Sequence, residues 1–275
     1  MNANLADIFK DTQKQYITNP ILIQSCDETR KNAKFYAEDD AINCEKNRFQ
    51  EKCKIVVSKK RSFEAAANYK GQKIAVLNFA NSFCPGGGVI HGARAQEECL
   101  CRCSTLYDSI SSDYMDKNFY EKHLMTDDEL ATDDIIYSPR VKVFKSDTDF
   151  PEILPENEWF DVDIITCAAP NIYVGWNEKL NISDEVLFKI HEKRLRKIID
   201  VAVLNMADVI ILGAFGCGAF GNPPLVVASA ANKVLKDYRF AFKSIEFAIY
   251  CSKSKTDNFD AFNKIIERKN KIKIV

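Results

Sequence analysis

The stretch NSFCPGGGVIHGARAQEECLCRCS (81–104) combines three consecutive glycines with Gln-Glu-Glu, and seven residues separate the last of these glycines from Gln96. Glycine is otherwise scarce, because it occupies only 10 of the 275 positions. Eight of these ten glycines lie in two short windows, 86–92 and 213–221. Glycine lets the backbone adopt positive φ and approach a ligand closely. The clustering therefore indicates that two particular loops need this freedom.

Each window follows an apolar run of strand length and precedes a helical pattern. In open α/β sheets, ligands bind outside the carboxyl ends of the strands, which is where both loops are expected. Successive backbone amides and a following helix N-terminus suit phosphate oxygens. Neither window has the Lys-Ser/Thr of a P-loop or the G-x-G-x-x-G spacing. Although a lone GGG is typical of a tight turn, two such loops at matching strand ends predict a site that cradles a diphosphate.

Strand-like and helical patterns alternate along the rest of the chain. The strand-like runs are KIAVLNFA (73–80), VKVFK (141–145), FDVDIITCA (160–168), DVIILGAF (208–215) and SIEFAIYC (244–251). Helical patterns occupy 184–207, 223–238 and 256–269. The runs are almost continuously apolar, as strands covered on both faces are. The alternation predicts an α/β layered sheet.

Three segments fit this alternation less well. The first 70 residues look mostly helical, and we expect them to pack on the core. Residues 113–140 are acidic and have little pattern, which predicts a surface insertion. The C-terminal KNKIKIV (269–275) is typical of either a frayed end or a late edge strand.

The charge balance excludes some classes of function. The chain has 38 Lys and Arg against 39 Asp and Glu, a net charge of −1, whereas a dedicated nucleic-acid-binding protein normally has a basic surplus. No apolar run approaches the roughly 20 residues that a membrane-spanning helix needs. The N-terminal residues 1–15 lack the order of a signal peptide. We expect a soluble, cytoplasmic protein with no membrane partner and no sequence-specific nucleic-acid binding.

The ten cysteines include no C-x-x-C pair, and Cys99, Cys101 and Cys103 alternate. Alternate positions on a helix point in different directions and do not converge on one metal ion. We therefore expect reduced thiols that act as small apolar side chains, not zinc ligands or disulfides. The histidines at 91, 123 and 191 are far apart and are assigned no role, although His91 lies in a loop from which it could touch a ligand.

Gln-Glu-Glu suggests proton chemistry. Neighbouring residues on a helix are roughly 100° apart, so Glu97 and Glu98 are not the facing carboxylate pair of an ordinary glycosidase. We expect one glutamate at the reacting bond and the other holding something else. Burial raises a carboxyl pKa, whereas a helix N-terminus lowers it, so burial must dominate if either glutamate is to donate a proton near neutral pH. The alternative for any Glu-Glu pair is a solvated helix face.

Three segments together resemble a known family. They are PGGGVIHGARAQEE (85–98) with STLY (104–107), ITCAAPN (165–171) and LGAFGCGAFGNPP (212–224). In the same order, they are similar to core segments of the compact bacterial and fungal poly(ADP-ribose) glycohydrolases, which cut ribose–ribose bonds. The resemblance covers about residues 54–252. It implies a macrodomain-like three-layer α/β/α sandwich with a mixed central sheet and extra N-terminal helices. It further implies a single domain over 1–275, with a helical extension over 1–53.

The resemblance also implies roles for particular residues. Glu98 would protonate the departing ribose oxygen and then activate water, Glu97 would hold the sugar hydroxyls, and Gln96 would support the catalytic loop. Asn81 would bind the distal ribose, and Phe220 would orient the terminal ribose. The two glycine loops would hold the diphosphate from opposite sides. The residues implied on the first side are Gly87, Gly88 and Val89, and those on the second are Gly216, Cys217, Gly218 and Ala219.

The implied partners are poly(ADP-ribose) or ADP-ribosylated macromolecules, with ADP-ribose as the product and no metal or cofactor. The sequence has no counterpart to the extended tyrosine-bearing loop of the animal enzymes, so we expect chain-end (exo) cleavage. Two alternatives use the same site. One is removal of single ADP-ribose units from macromolecules, and the other is a macrodomain that binds ADP-ribose without cutting. Readers of the second kind generally lack a carboxylate at the bond, so Glu97 and Glu98 argue against it.

Overall fold

The computed structural model describes residues 4–126, 128–175, 178–252 and 254–267. A sheet of seven strands forms its centre. The strands of the described residues are β1 (Lys34–Tyr36), β2 (Lys54–Ser58), β3 (Ile74–Ala80), β4 (Ile135–Val143), β5 (Phe160–Ala168), β6 (Tyr173–Gly175), β7 (Glu178–Lys179), β8 (Val209–Leu212) and β9 (Ser244–Ala248). Strands β6 and β7 form a separate antiparallel pair. The strand order of the main sheet is β1-β4-β5-β3-β8-β9-β2.

The main sheet is mixed, as the family resemblance implies. Strands β5, β3, β8, β9 and β2 run parallel to one another, whereas β4 pairs antiparallel with both β5 and β1. Strands β3 and β8 are parallel neighbours, so their carboxyl ends meet at the same edge of the sheet. Each of these two ends leads into one of the glycine-rich windows, which the fold thereby brings together.

Helices cover both faces of the sheet. The described α-helices are α1 (Leu5–Thr18), α2 (Pro20–Asn32), α3 (Ser62–Ala66), α4 (Gln96–Cys103), α5 (Leu106–Ile110), α6 (Asp113–Met115), α7 (Glu121–Thr126), α8 (Asp184–Leu204), α9 (Pro224–Val234) and α10 (Asp257–Phe262). Alternate residues of β3 belong to two different apolar clusters, Ala75 and Leu77 to one and Ile74 and Val76 to the other. The first cluster includes residues of α8, α9 and α10, and the second includes residues of α1, α3, α4 and α5. This is the predicted three-layer arrangement. Among the described residues, no helix combines the length and the apolar character needed to cross a bilayer.

The strand predictions over 73–80, 160–168, 208–215 and 244–251 are confirmed to within a few residues. The strand predicted over 141–145 is longer than predicted and begins six residues earlier. That strand, β4, begins at Ile135 and ends at Val143. Its pairing with β5 shifts register between Ser138 and Val141, and Arg140 has φ 54°. Pro139 lies at this irregularity and cannot donate to the ladder. The proline and the bulge hide the strand from a search for continuous apolar runs.

The predicted surface insertion over 113–140 is therefore wrong in two respects. Residues 135–140 belong to β4, which lies inside the sheet between β1 and β5. Residues 113–126 are helical. Their side chains Met115, Phe119 and Tyr120 are buried in the second apolar cluster, which also includes Val89 of the first glycine loop. Acidic residues on the outer face concealed this short apolar pattern.

The helical prediction for the N-terminal region holds for only part of its length. Helices α1 and α2 pack on the core as expected, but Lys34–Tyr36 forms the edge strand β1, and residues 37–53 contain neither helix nor strand. Residues 54–58, also assigned to the mostly helical region, form the opposite edge strand, β2. Both strands are short and only partly buried, so neither has a long apolar run. The helix predicted over 256–269 begins at Asp257, and its last two residues, like KNKIKIV, lie outside the described residues.

Candidate active site

The second glycine-rich loop and the start of α4 line one cleft of about 350 Å³ at the carboxyl edge of the sheet. Eight of the twelve residues assigned to the site from the sequence line this cleft. They are Asn81, Gln96, Glu97, Glu98, Gly216, Gly218, Ala219 and Phe220. The other four, which do not line it, are Gly87, Gly88, Val89 and Cys217.

The first loop folds around the two glutamates. The amide of Gly88 donates to Glu98 Oε1 at 2.9 Å. Gly87 has φ 55°, and a Cβ added there would lie 2.6 Å from Glu98 Oε1 and 3.3 Å from Glu97 Oε2. Both carboxylates therefore converge on Gly87, although they leave the helix in different directions. Only glycine leaves room for both of them.

The amides of this first loop already have acceptors within the protein. Gly87 N donates to Cys84 O at 3.0 Å and Val89 N to Gly86 O at 3.1 Å, and the Val89 side chain is fully buried. Here the loop holds a carboxylate in place. Contact between Gly87, Gly88 or Val89 and a diphosphate stays a prediction.

Gln96 anchors the start of α4 to the edge of β3. The pairing of β3 with β8 ends at Val76, so the backbone groups that follow on that side of β3 need other partners. Gln96 supplies them, because its Oε1 accepts from Phe79 N at 2.9 Å and its Nε2 donates to Leu77 O at 2.7 Å. This clamp fixes the position of the two glutamates that follow.

Glu97 lies beneath the cleft and is only 2% exposed. Its Oε1 accepts from Asn78 Nδ2 at 3.1 Å, and its Oε2 accepts from Asn81 N at 2.8 Å. Burial raises the pKa of Glu97 to about 8, although these two hydrogen bonds oppose the rise and the Glu98 charge adds to it. Removal from water therefore dominates at Glu97, whereas the family resemblance assigns the proton transfer to Glu98.

Glu98 has an unequal pair of oxygens. The residue is 7% exposed, and Oε1 is held by Gly88 N, whereas Oε2 is buried and has no partner among the described residues. A buried carboxylate oxygen without a partner is costly unless a ligand or water meets it. Glu98 is one of the residues that line the cleft, and Oε2 is its carboxylate oxygen without a protein partner among the described residues.

Asn81 shapes the turn that follows β3. Its Oδ1 accepts from the amides of Phe83 and Cys84 at 2.8 and 2.9 Å, and its own amide donates to Glu97. The side chain of an asparagine commonly forms such a turn. Asn81 therefore links the end of the strand to Glu97 while it lines the cleft.

The second loop presents amides that have no partners. The backbone amides of Gly218, Ala219 and Phe220 find no acceptor among the described residues, and Gly218 and Ala219 are exposed. Three consecutive donors on the wall of a cleft suit an anion. A Cβ added to Gly218 would meet nothing within 4 Å, so there is open space at this point. Cys217 instead packs against the core cluster beneath the loop.

Three residues that line the cleft were not predicted from the sequence: Arg61, Asp147 and Tyr250. The guanidinium of Arg61 lies 4.0 Å from the centre of the Tyr250 ring and also pairs with Asp149. Asp147 lines the same cleft, and one of its carboxylate oxygens is buried without a partner among the described residues. Tyr250 follows β9, so the rule that ligands bind at the carboxyl ends of parallel strands could have found it. Arg61 follows β2, the strand that the sequence did not reveal.

The cysteines form no second site. All ten are free thiols. Within the described ranges, no cluster of three or more His, Cys, Asp or Glu side chains could hold a metal ion.

Comparison with known proteins shows which family and which solved structures the chain is similar to. The family model described as the catalytic domain of microbial-type PARG matches residues 9–146. A crystal structure of poly(ADP-ribose) glycohydrolase from Thermomonospora curvata is similar, with a TM-score of 0.83, 26% identity and coverage of 95% of this chain and 99% of that chain. The structure of the same enzyme bound to the inhibitor ADP-HPD has a TM-score of 0.81 and 27% identity, and the match covers 94% of this chain and 98% of that chain. The structure of poly(ADP-ribose) glycohydrolase from Deinococcus radiodurans in complex with ADP-ribose has a TM-score of 0.77 and 28% identity, and the match covers 89% of this chain and 97% of that chain. A search of the curated proteins found no match.

We predict that Gly87→Ala inactivates the site without unfolding the protein. The added Cβ clashes with Glu98 Oε1 at 2.6 Å and must displace that carboxylate. A small misplacement of a catalytic group costs on the order of 100-fold in rate. The measurement is release of ADP-ribose from poly(ADP-ribose).

Gly71→Ala is the matched control for this variant. Gly71 also has a positive φ, 89°, but a Cβ there meets nothing within 4 Å. Both variants should lose about 1–2 kcal/mol of stability from the left-handed backbone. Gly87→Ala should lose more because it also displaces the Glu98 carboxylate, and only Gly87→Ala should lose activity. Full activity in Gly87→Ala would contradict the described packing of Glu98 against the loop.

We also predict a pH dependence of stability from Glu97. Its carboxyl pKa rises from 4.5 to about 8 on folding, so the folded state binds the proton more tightly than the unfolded state does. The stabilisation is therefore fully present below about pH 4.5 and is lost as the pH rises through about 8, by at most about 1.4 kcal/mol per pH unit. Urea unfolding of the wild type and Glu97→Gln should give free energies whose difference changes across this window. A difference that is constant from pH 5 to 9 would refute the raised pKa.

Proposed function

This chain belongs to the microbial-type poly(ADP-ribose) glycohydrolases, and from that membership we propose how its own residues perform the reaction. The enzyme hydrolyses the ribose–ribose O-glycosidic bond of poly(ADP-ribose) and releases ADP-ribose. We assign general acid and base catalysis to Glu98, with the second loop as the diphosphate-binding element. The observation that supports this assignment is that Glu98 lines the cleft and that its Oε2 has no partner among the described residues.

The proposed reaction begins with protonated Glu98. Glu98 donates its proton to the bridging oxygen as the bond between that oxygen and the anomeric carbon breaks, which leaves an oxocarbenium-like sugar. The resulting carboxylate then accepts a proton from water, and the water oxygen bonds to the anomeric carbon. This transfer protonates Glu98 again, so the residue ends the cycle in the state in which it began. The hydrogen bond from Gly88 N to Oε1 keeps the carboxyl group in one orientation throughout.

The other cleft residues hold the substrate. The amides of Gly218, Ala219 and Phe220 are available to the oxygens of a diphosphate. Phe220 lines the cleft beside them and offers an aromatic face to a ribose ring. Glu97 already accepts hydrogen bonds from Asn78 Nδ2 and Asn81 N, yet its carboxyl group has further hydrogen-bonding capacity for a sugar hydroxyl. This arrangement supports the division of labour in which Glu97 positions the sugar and Glu98 moves the proton.

We further propose cleavage from the chain end. Arg61 and Tyr250 line the cleft and contact each other, and the ion pair with Asp149 holds Arg61 in place. If the diphosphate lies on the second loop and the scissile bond at Glu98, we place the adenosine portion beside this Arg61–Tyr250 pair. A polymer that continued beyond the adenosine would have to pass these two side chains. This supports binding of a terminal unit.

We predict that Glu98→Gln abolishes turnover and retains binding. Glutamine has nearly the same shape and can still accept from Gly88 N, but it cannot donate and recover the proton. General acid and base catalysis contributes about 10²- to 10⁴-fold, so release of ADP-ribose should fall by at least about 100-fold. The dissociation constant for ADP-ribose, measured by calorimetry, should stay within a few-fold of wild type. Glu185→Gln, an exposed site on α8, is the control. An active Glu98→Gln enzyme would refute the assignment.

We predict that single ADP-ribose units are the only early product from long polymer. If the Arg61–Tyr250 pair stops the polymer beyond the adenosine, the cleft admits a terminal unit and each event removes one unit. Gel and chromatographic analysis of the first few per cent of reaction tests this. Free oligomers at that stage would show internal cleavage. Activity on singly modified protein but not on polymer would favour the mono-ADP-ribosyl hydrolase instead.

A further inference from the structure

Asn222 closes the second glycine loop and is 2% exposed, although it does not line the cleft. Its Nδ2 donates to Pro170 O at 2.7 Å and to Gly216 O at 3.0 Å, and Phe220 O lies 3.5 Å away. Three carbonyl oxygens thus surround one amide nitrogen. Because a carbonyl oxygen can only accept, these contacts fix which end of the side-chain amide is the nitrogen.

These contacts hold the part of the loop that carries the free amides. Gly216 precedes that segment, Phe220 is its last residue, and Pro170 belongs to the turn that follows β5. Gly216 and Gly221 have φ of 75° and 72°, so the loop depends on residues with unusual backbone freedom. The Asn222 backbone amide adds a second hydrogen bond to Gly216 O at 3.0 Å. Asn222 therefore supplies the constraint that the glycines do not.

His191 fixes Asn222 from the other side. It is fully buried on α8, and its Nε2 lies 2.9 Å from Asn222 Oδ1. Since Oδ1 can only accept, Nε2 must carry the proton. Burial lowers the pKa of His191 to about 4, with the nearby charge of Arg194 acting in the same direction, so the ring is neutral near pH 7. The remaining nitrogen, Nδ1, is buried and has no partner among the described residues.

We propose that His191 and Asn222 are a positioning pair that holds the amides of the second loop in the geometry that binds the substrate diphosphate. Neither residue touches the cleft, so the pair acts through the loop. The proposal rests on the proposed function of that loop. Without the pair, the loop must be ordered when substrate binds, and part of the binding free energy is lost to that ordering.

The pair should therefore affect binding more than chemistry. The diphosphate is unchanged while the glycosidic bond breaks, so the loop contacts it equally in the ground state and the transition state. Loss of such uniform binding raises KM and leaves kcat unchanged. A purely structural defect would instead lower the amount of active enzyme, and kcat with it.

The test compares His191→Leu with His191→Gln. Leucine removes the donor, whereas glutamine can place an N–H near the position of Nε2. We expect His191→Leu to raise KM for poly(ADP-ribose) and Kd for ADP-ribose by about tenfold, the scale of one lost hydrogen bond, with kcat within about threefold of wild type. His191→Gln should restore most of the affinity. His123→Leu is the control, because His123 is also buried and hydrogen-bonded but lies away from the cleft.

Two outcomes would overturn the proposal. One is an unchanged KM and Kd in folded His191→Leu, and the other is an equal change in His191→Gln and His191→Leu. A measurement on the wild type decides the case even if the leucine variant does not fold. Nitrogen-15 NMR should find the His191 proton on Nε2 in slow exchange with water, and a proton on Nδ1 instead would refute the pair.

The same experiments separate this proposal from the proposed function. A wild-type protein that binds ADP-ribose, with weaker binding in His191→Leu, supports the pair even if no polymer is cleaved. A wild-type protein that cleaves polymer, with variants of unchanged affinity, refutes the pair alone. A wild-type protein that does not bind ADP-ribose refutes both.

Discussion

Burial of two adjacent carboxyl groups at the end of one strand is the constraint on which this site depends. Glu97 and Glu98 are both withdrawn from water, and each would be costly there without donors. The protein meets this cost with backbone and amide N–H groups, from Asn81 and Asn78 to Glu97 and from Gly88 to Glu98. Both carboxyl groups can lie so close to the first loop only because Gly87 has no side chain. The first glycine loop thus exists to hold carboxylates.

The second loop has the complementary task. Its amides at Gly218, Ala219 and Phe220 are left without acceptors among the described residues, on the wall of the cleft that Glu98 also lines. The donors of the first loop therefore bind acceptors within the protein, whereas these three amides of the second loop do not. The parallel pairing of β3 with β8 brings the two loops to the same edge of the sheet. The fold thereby places the residue proposed for proton transfer beside the amides proposed for anion binding.

Much of this arrangement could be predicted from the sequence, for identifiable reasons. Strands β3 and β5 are long, apolar and continuous, so their bounds were predicted within a residue. The glycine windows and Gln-Glu-Glu predicted the position of the site, because two glycine clusters that each follow an apolar run of strand length are unusual in a chain with so few glycines. Short edge strands carry less signal, which is why β1 and β2 were missed, and with β2 the position of Arg61. The bulge at Pro139 and Arg140 hid the first half of β4. The internal hydrogen bonds of Gly87 and Val89 could not be predicted, because they depend on tertiary contacts that no local pattern specifies.

The central claim is that the free oxygen of Glu98 and the free amides of the second loop act on the same substrate molecule. A crystal structure of the protein with ADP-ribose tests it most directly. The account predicts diphosphate oxygens within about 2.7–3.2 Å of amides in the second loop, and the anomeric hydroxyl group of the distal ribose within hydrogen-bond distance of Glu98 Oε2. A diphosphate bound elsewhere, or a distal ribose whose anomeric carbon points away from Glu98, would contradict it.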